Sequence, residues 1–305
     1  MRKTTGLSRM EKQLRWRKDK MGLLRFSYRS EILSLHTNIT VTLPSEEMTY
    51  YPLTEAKREE GVAPRRKWEY RDGMKFQTVY LLHGGGDDDT CVVRKSNIER
   101  YAEENCVMTV TAQVNDSFFM DTQYGYKYFT FMTEELPKVI QTMFPSSKKR
   151  EDNFVAGLAM GGNGALALGL KRPDLYAACV DLSGGIGCSV DTDAFIEEVR
   201  TLKMKRMQST FGDPEKLRDS EYDLGGYVRR AVQNGMKLPD IYIAVGENDF
   251  IRDVVRKDKD ALISYGVPVH YEEVKGYTHD WNFWDLYLKK ALEEWLPLKR
   301  EPIYL

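Results

Sequence analysis

Residues 157–162 combine the glycines of a sharp turn with a position suited to a nucleophile. The apolar run 153–157 predicts a buried strand, and Gly157-Leu-Ala-Met-Gly-Gly162 then leads into a helix rich in alanine and glycine. A G-x-S-x-G turn between strand and helix exposes a reactive serine, and its glycines let strand and helix approach closely. Here the central position is Ala159, which has no hydroxyl. The turn therefore predicts acyl-transfer chemistry from which the nucleophile is missing.

Two later residues match the partners that such a nucleophile needs. Asp249 directly follows the strand-like run 241–245, and His279 lies in the loop after the last strand-like run. In serine hydrolases the histidine carries the proton, and the carboxylate orients the imidazole and stabilises its charged form. Either residue alone is more often structural or solvated. Their order and their positions after strands favour a catalytic interpretation of both.

The same chemistry needs backbone N–H groups that bind the developing oxyanion. One should belong to Met160, which follows the nucleophile position, and the other to the turn His83-Gly-Gly-Gly86, where Gly85 is the expected donor. Glycines at a helix N-terminus also favour phosphate. Since no Walker lysine follows and the spacing is not G-x-G-x-x-G, nucleotide binding is disfavoured.

Aromatic residues near the predicted strand ends are candidates for substrate contact. Phe118 or Phe119 is expected to line an acyl pocket, and Trp281 either contacts substrate or packs the last helix. The acidic run 87–89 is interpreted as carboxylates at a helix N-terminus, where the helix dipole favours them, rather than as a metal site. Ser183, Ser117 and Thr90 also follow strands, but no glycine turn surrounds them, so none is expected to replace the missing serine. We predict no metal and no cofactor.

Strand-like runs alternate with helical periodicity along most of the chain, which implies right-handed crossovers and a mostly parallel sheet covered on both faces. An antiparallel pair over 24–29 and 32–43 should form one edge. Residues 54–73 are expected to form an exposed hairpin loop, and the charge-rich segment 189–237 a helical, cap-like insertion. The remaining predicted strands are 76–82, 106–111, 153–157, 177–182, 240–245 and 268–274. The predicted helices are 95–104, 129–144, 162–171, 252–265 and 281–296.

Composition limits the classes of protein. The chain has 305 residues, a net charge of −1 and 42% hydrophobic residues, which suits a globular domain and gives no argument for nucleic acid. Residues 1–22 form a basic N-terminal extension, and 23–305 the main domain. Its four cysteines lack C-x-x-C spacing, so buried free thiols are expected. No apolar run is long enough to span a membrane, and we expect a cytoplasmic protein.

Co-linear motifs from residue 24 to 297 resemble the α/β-hydrolase esterases that include tributyrin esterase, esterase D and the feruloyl and acetyl-xylan esterases. This resemblance implies an α/β-hydrolase fold. It also implies a Ser-His-Asp mechanism on short acyl, acetyl or hydroxycinnamoyl esters, without a metal or cofactor, and it is compatible with carbohydrate-linked substrates and a homodimer. The motifs are Tyr80-Leu-Leu-His-Gly84, Ser96-Asn-Ile-Glu-Arg-Tyr101, Tyr128-Phe-Thr-Phe-Met-Thr-Glu-Glu-Leu-Pro137, Gly157-Leu-Ala-Met-Gly-Gly162, Phe211-Gly-Asp-Pro214, Gly246-Glu-Asn-Asp-Phe250 and His279-Asp-Trp-Asn-Phe-Trp284.

Ala159 is the departure from that family pattern, and it leaves two interpretations. A serine-to-alanine replacement would inactivate an esterase while leaving its surroundings intact, and we favour this interpretation. The alternative is a natural, catalytically silent ligand-binding homologue, or a non-hydrolytic enzyme such as an acyltransferase or lyase that uses Asp249 and His279.

Overall fold

An eight-stranded sheet is the centre of the structure. The computed structural model describes residues 22–44, 71–187, 189–202 and 204–304, so the predicted N-terminal extension and most of the predicted 54–73 loop lie outside the described residues. The strands are β1 Leu23–Arg29, β2 His36–Thr42, β3 Met74–Lys75, β4 Thr78–Leu82, β5 Met108–Ala112, β6 Asn153–Leu158, β7 Ala178–Leu182, β8 Asp240–Gly246, β9 His270–Val274 and β10 Ile303–Tyr304. Within the sheet the order is β1-β2-β5-β4-β6-β7-β8-β9. Strands β1, β2 and β5 pair antiparallel, and every pair from β5 onward is parallel.

Helices pack on both faces of this sheet, which confirms the predicted architecture. The helices are α1 Cys91–Lys95, α2 Ile98–Glu104, α3 Leu136–Met143, α4 Met160–Lys171, α5 Thr192–Thr201, α6 Lys205–Phe211, α7 Leu224–Gln233, α8 Arg252–Ser264 and α9 Trp281–Lys290. A short helical segment, Tyr128–Thr130, and a π turn, Phe131–Glu135, precede α3, and a second π turn, Ala291–Trp295, follows α9. The remaining strands, β3 and β10, pair with each other beside the main sheet.

Two hydrophobic cores result, because successive side chains of a strand point to opposite faces. Val79 and Leu81 of β4 belong to the core that includes α9, whereas Tyr80 and Leu82 belong to the core that includes α4. A strand covered on both faces is apolar at most of its positions. This requirement explains why the central strands appear in the sequence as continuous apolar runs.

Element boundaries differ from the sequence prediction where side chains bind the backbone. The predicted strand 32–43 begins only at His36, because residues 30–35 form a turn whose hydroxyl and amide groups are bound by the distant Glu135 carboxylate. That carboxylate accepts hydrogen bonds from the Ser30 hydroxyl at 2.9 Å and from the Ile32 N–H at 2.9 Å. The predicted helix 95–104 is interrupted at Asn97, whose N–H donates to Asp285 instead of continuing α1.

The insertion between β7 and β8 is helical, as its sequence pattern indicates. It contains α5, α6, a 3₁₀ turn over Pro214–Lys216 and α7. Helix α7 packs against α4 and α8 and so covers the sheet as a crossover helix. Helix α6 contacts the segment after β5, since Phe211 packs on Phe118 with ring centroids 5.2 Å apart. The cap-like role of α5 and α6 stays a prediction.

Of the four cysteines, Cys91, Cys106 and Cys179 are buried free thiols, as expected, and the Cys188 side chain lies outside the described residues. In the described part of the chain, no helix is both long and apolar enough to cross a membrane.

The junction of β6 and α4 has no room for a Cβ atom at its glycines. A Cβ added to Gly157 would lie 1.9 Å from the Gly161 carbonyl oxygen. A Cβ added to Gly161 would lie 2.2 Å from the Leu82 carbonyl oxygen. These neighbours are backbone atoms, which a rotamer change cannot move. The glycines therefore set how closely the strand and the helix approach.

We predict that Gly157→Ala lowers the free energy of unfolding by about 3 kcal/mol or more, because the methyl group collides with backbone. Gly266→Ala is the matched control. Gly266 has a φ of +84° and nothing within 4 Å of an added Cβ, so it should lose only about 1 kcal/mol through backbone strain. Urea unfolding measures both values, and equal losses would show that β6 and α4 can separate freely.

Candidate active site

Ala159 occupies a strained backbone conformation at the start of α4, with φ 50° and ψ −121°. L-residues rarely adopt this region, and holding one there costs about 1–3 kcal/mol. Backbone hydrogen bonds hold the turn in place: the Ala159 N–H donates to the Leu182 carbonyl at 2.9 Å, and the Gly162 N–H donates to the Ala159 carbonyl at 2.8 Å. The turn is thus formed without any side-chain hydrogen bond at position 159.

Asp249 and His279 are 30 residues apart in the sequence, but they lie together at the carboxyl ends of the neighbouring strands β8 and β9. The His279 Nδ1 lies 3.1 Å from Asp249 Oδ1 and 3.0 Å from Oδ2. The carboxylate also accepts the Ser183 hydroxyl at 2.7 Å and the Ile251 N–H at 3.0 Å. Ser183 is fully buried, so its hydroxyl orients the carboxylate and does not face a substrate.

The loops that carry this pair are held to each other by backbone contacts. The Asn248 N–H donates to the Tyr277 carbonyl at 2.9 Å, and a Cβ added at Gly246 would lie 2.5 Å from that same carbonyl oxygen. Asp280 then caps α9 by accepting the N–H groups of Asn282 and Phe283. His279 is therefore fixed on both sides, by a packed loop before it and a capped helix after it.

Two buried carboxylates near the turn have opposite pKa shifts. Burial alone would raise the pKa of Asp249, but hydrogen bonds from His279, the Ile251 N–H and Ser183 hold it below its usual value. For Asp181, at the end of β7, burial raises the pKa to about 8, although the Gly184 N–H bond opposes the shift. Its Oδ2 has no hydrogen-bond partner among the described residues. Asp249 is thus the carboxylate that is ionised near neutral pH.

The glycine turn after β4 is held by a neutral histidine, a role that the sequence analysis did not assign. His83 Nδ1–H donates to the Gly84 carbonyl at 2.8 Å, and its Nε2 accepts the Val114 N–H at 3.2 Å. Burial lowers the pKa of His83, which keeps the ring in this neutral form. An added Cβ on Gly84 would lie 3.5 Å from the Ala159 Cβ. The turn therefore lies beside residue 159.

Gly85, the expected oxyanion donor, is exposed and has the Arg206 side chain beside it. An added Cβ there would lie 3.2 Å from the Arg206 Nη1 of α6. Arg206 also pairs with Asp116 at 3.3 Å, and Asp116 accepts the Gly86 N–H at 2.6 Å. The other expected donor, Met160, is the first residue of α4, where helical N–H groups have no partner within the helix. The oxyanion roles of Gly85 and Met160 stay predictions.

The aromatic candidates differ in exposure. Phe118 and Phe119 are 1% and 0% exposed. Phe119 packs on the His83 ring and Phe118 on Phe211 of α6, so both rings are covered by other side chains of the chain. Trp281 is half-buried and packs against Trp284 at 5.3 Å. Substrate contacts of Phe118, Phe119 and Trp281 stay predictions.

Two aromatic rings contact His279 directly. Phe250 lies with its centroid 4.7 Å from the imidazole centroid, and Trp284 packs edge-on at 4.9 Å. Both belong to motifs quoted for the family resemblance. Their contact with His279 was not deducible because it depends on the loop path between strands.

The acidic run 87–89 is bound by cations and hydroxyls of this chain. Asp89 pairs with Arg25 at 2.8 Å and accepts the Thr40 hydroxyl at 2.7 Å. Asp87 lies 3.2 Å from Lys95. Across the described ranges 22–44, 71–187, 189–202 and 204–304, no group of three or more His, Cys, Asp or Glu side chains could hold a metal ion.

The sheet order and the strand–turn–helix at residues 153–171 define a protein of the α/β-hydrolase fold. Comparison with known proteins then identifies the family. The Esterase family model matches residues 57–295, most of the chain, and the chain belongs to this family. The resemblance stated from the sequence is thereby confirmed, and the chain is a member of a family of carboxylic ester hydrolases.

Relatives support this assignment along nearly the whole length. An acetyl esterase of Caldicellulosiruptor saccharolyticus is 28% identical over 278 residues, covering 90% of this chain and 97% of its own. A substrate-bound fluorophosphonate-binding serine hydrolase of Staphylococcus aureus superposes with a TM-score of 0.74 at 26% identity, covering 90% of this chain and 98% of its own. An S-formylglutathione hydrolase of the same organism gives 0.71 at 26% identity, with 91% and 99% covered.

Because Ala159 is strained, we predict that Ala159→Gly raises the free energy of unfolding by about 0.5–1 kcal/mol. Ala165→Gly, in the interior of α4, should lower it by about 1 kcal/mol, since glycine weakens a helix whose backbone is unstrained. Urea unfolding compares the two variants. Losses of the same size at both positions would show that the turn carries no strain.

The raised pKa of Asp181 predicts a pH dependence of stability. Its folded pKa of about 8 exceeds the unfolded value of ~3.9. Its contribution is therefore fully present below about pH 4 and is lost as the pH rises toward 8. Asp181→Asn keeps an acceptor for the Gly184 N–H and should make the free energy of unfolding fall less between about pH 5 and pH 8.

Asp240→Asn serves as the control for that experiment, because Asp240 is exposed at the start of β8. Measured by urea unfolding, the change of its free energy of unfolding between about pH 5 and pH 8 should equal that of the parent. An Asp181→Asn slope identical to the parent's would contradict a protonated carboxyl at this position.

Proposed function

We propose that this chain carries the active site of a carboxylic ester hydrolase for short acyl, acetyl or hydroxycinnamoyl esters, with Ala159 at the position of the nucleophile. The observation that carries the proposal is the bond between Asp249 and His279 Nδ1. Asp249 is joined to the strained turn through Ser183, which donates to it, and the preceding Leu182, which accepts the Ala159 N–H. With Nδ1 bound to a carboxylate, the imidazole presents Nε2 for proton transfer.

With serine at position 159, each part has a defined role. The serine oxygen attacks the ester carbonyl carbon while His279 Nε2 takes its proton, and Asp249 stabilises the imidazolium. The N–H groups of Met160 and Gly85 receive the oxyanion. His279 then gives the proton to the leaving alcohol, and water releases the acid by the same route.

The chain as it stands has no atom at position 159 that can be acylated. Removing one member of such a triad leaves about 10³–10⁴-fold acceleration over water, far below that of a complete serine hydrolase. We therefore expect the chain to be nearly inactive toward esters. Ala159 itself favours the second candidate, a silent ligand-binding homologue or a non-hydrolytic enzyme that uses Asp249 and His279.

Several properties of the proposed ester hydrolase stay predictions. They are a carbohydrate-linked substrate, a homodimer and a cytoplasmic location. A small-molecule ester is the expected partner, without nucleic acid or membrane.

We predict that Ala159→Ser raises kcat/KM for p-nitrophenyl acetate and butyrate by about 10³-fold or more, because it restores the attacking atom. A fluorophosphonate probe should label the new serine, and peptide mass spectrometry should locate the label at residue 159. Spectrophotometric assay of both esters measures the gain against the unchanged chain.

Matched histidine variants in the serine background test the proposed roles. His279→Ala should abolish the gain, since it removes the proton carrier. His270→Ala should keep it, because His270 is exposed on β9 and bound to Glu272. The esterase proposal would be overturned if the serine variant is inert while the alanine chain turns over a substrate or binds a ligand tightly. That result would favour the second candidate.

A further inference from the structure

A cleft of ≈ 360 Å³ opens between α5 and the start of α8. Phe250 and Ile251, the two residues after Asp249, form one wall, and Ile186 from the loop after β7 forms part of another. The Phe250 ring is 73% exposed and lies 4.7 Å from the His279 ring. The cleft thus lies one exposed aromatic ring away from the proposed catalytic histidine, since Phe250 both lines the cleft and packs on His279.

The chemistry of ester hydrolysis indicates which part of a substrate belongs on this side. The histidine of the triad returns its proton to the leaving alcohol. The alcohol must therefore lie against the His279 imidazole, where Phe250 forms the adjoining wall. An apolar lining beside that ring suits an alcohol with an apolar body.

One carboxyl group faces this largely apolar space. Glu198 lines the cleft from α5, and its Oε2 accepts the Gly187 N–H at 3.0 Å. Burial raises the pKa of Glu198 to about 7, against the effect of that bond. The other charged residues of the cleft, Glu197 and Lys257, are exposed at its rim and opposite in sign, and Glu197 pairs with Arg200 at 2.8 Å.

We propose that this cleft binds the alcohol moiety of the ester, and that Glu198 selects an apolar alcohol carrying an ammonium or hydroxyl donor over one carrying a carboxylate. The inference rests on the proposed function. A donor on the alcohol satisfies the Glu198 carboxyl in the cleft, whereas a carboxylate is repelled by it, because a low dielectric strengthens both effects.

Three phenols of similar size serve as probes of the alcohol site: 3-(aminomethyl)phenol, 3-ethylphenol and 3-hydroxybenzoate. They are titrated by ligand-observed NMR into the unchanged alanine chain at about pH 8.5, where Glu198 is ionised. We expect the ammonium phenol to bind about fivefold tighter than its ethyl isostere, and 3-hydroxybenzoate to bind most weakly.

Three variants locate the effect. Glu198→Gln should reduce the preference for the ammonium over the ethyl phenol by about fivefold, whereas Glu215→Gln should keep it. Glu215 lies in the same insertion, and its side chain is 70% exposed and bound to Arg200. Ala194→Leu, which enlarges a residue of the cleft wall, should weaken all three phenols.

Equal affinities of the three phenols, or a preference unchanged by Glu198→Gln, would overturn the inference. Turnover by Ala159→Ser is measured separately with the acetates of the same phenols, whose kcat/KM should follow the same order. Selective phenol binding with an inert serine variant would refute the ester hydrolase but leave an alcohol site. Turnover without selectivity would refute the alcohol site alone.

Discussion

The active-site geometry depends on the absence of Cβ atoms where β6 meets α4. A Cβ on Gly161 would lie 2.2 Å from the Leu82 carbonyl oxygen and 2.8 Å from that of His83. The start of α4 is therefore in backbone contact with the end of β4. Since Met160 begins α4 and the glycine turn follows β4, this one contact sets the separation of the two proposed oxyanion donors. Catalysis by fixed dipoles requires that such groups be held in advance of the reaction.

The carboxyl groups near the ends of β7 and β8 differ in protonation state near neutral pH: Asp181 is protonated and Asp249 is ionised. Asp181 and Asp249 are both buried, but Asp249 has three donors and Asp181 Oδ1 accepts the Gly184 N–H. The difference follows from their neighbours, because donors offset the cost of burying a charge. An imidazolium at His279 would consequently face a single full negative charge, and Asp181 would add little to it at neutral pH.

Much of the fold could be predicted from the sequence, because buried parallel strands are apolar at most positions and helices keep their own period. The turn at Ala159 and the order of Asp249 and His279 were also recognisable, since they depend on local spacing. The effect of Glu135 on residues 30–35, and the contact of Phe250 with His279, were not. Both join segments through side chains, and neither leaves a periodic signal in the sequence.

The catalytic surroundings are independent of the hydroxyl that position 159 lacks. The turn is held by the bonds from Ala159 N–H to Leu182 and from Gly162 N–H to Ala159, which involve only backbone atoms. The carboxylate of Asp249 is oriented by Ser183 and Ile251, and the loop of His279 by Asp280 at the start of α9. None of these contacts needs a side chain larger than a methyl group at 159. An alanine chain can therefore keep a site arranged for ester hydrolysis, and what it loses is the covalent step rather than the geometry that would support it.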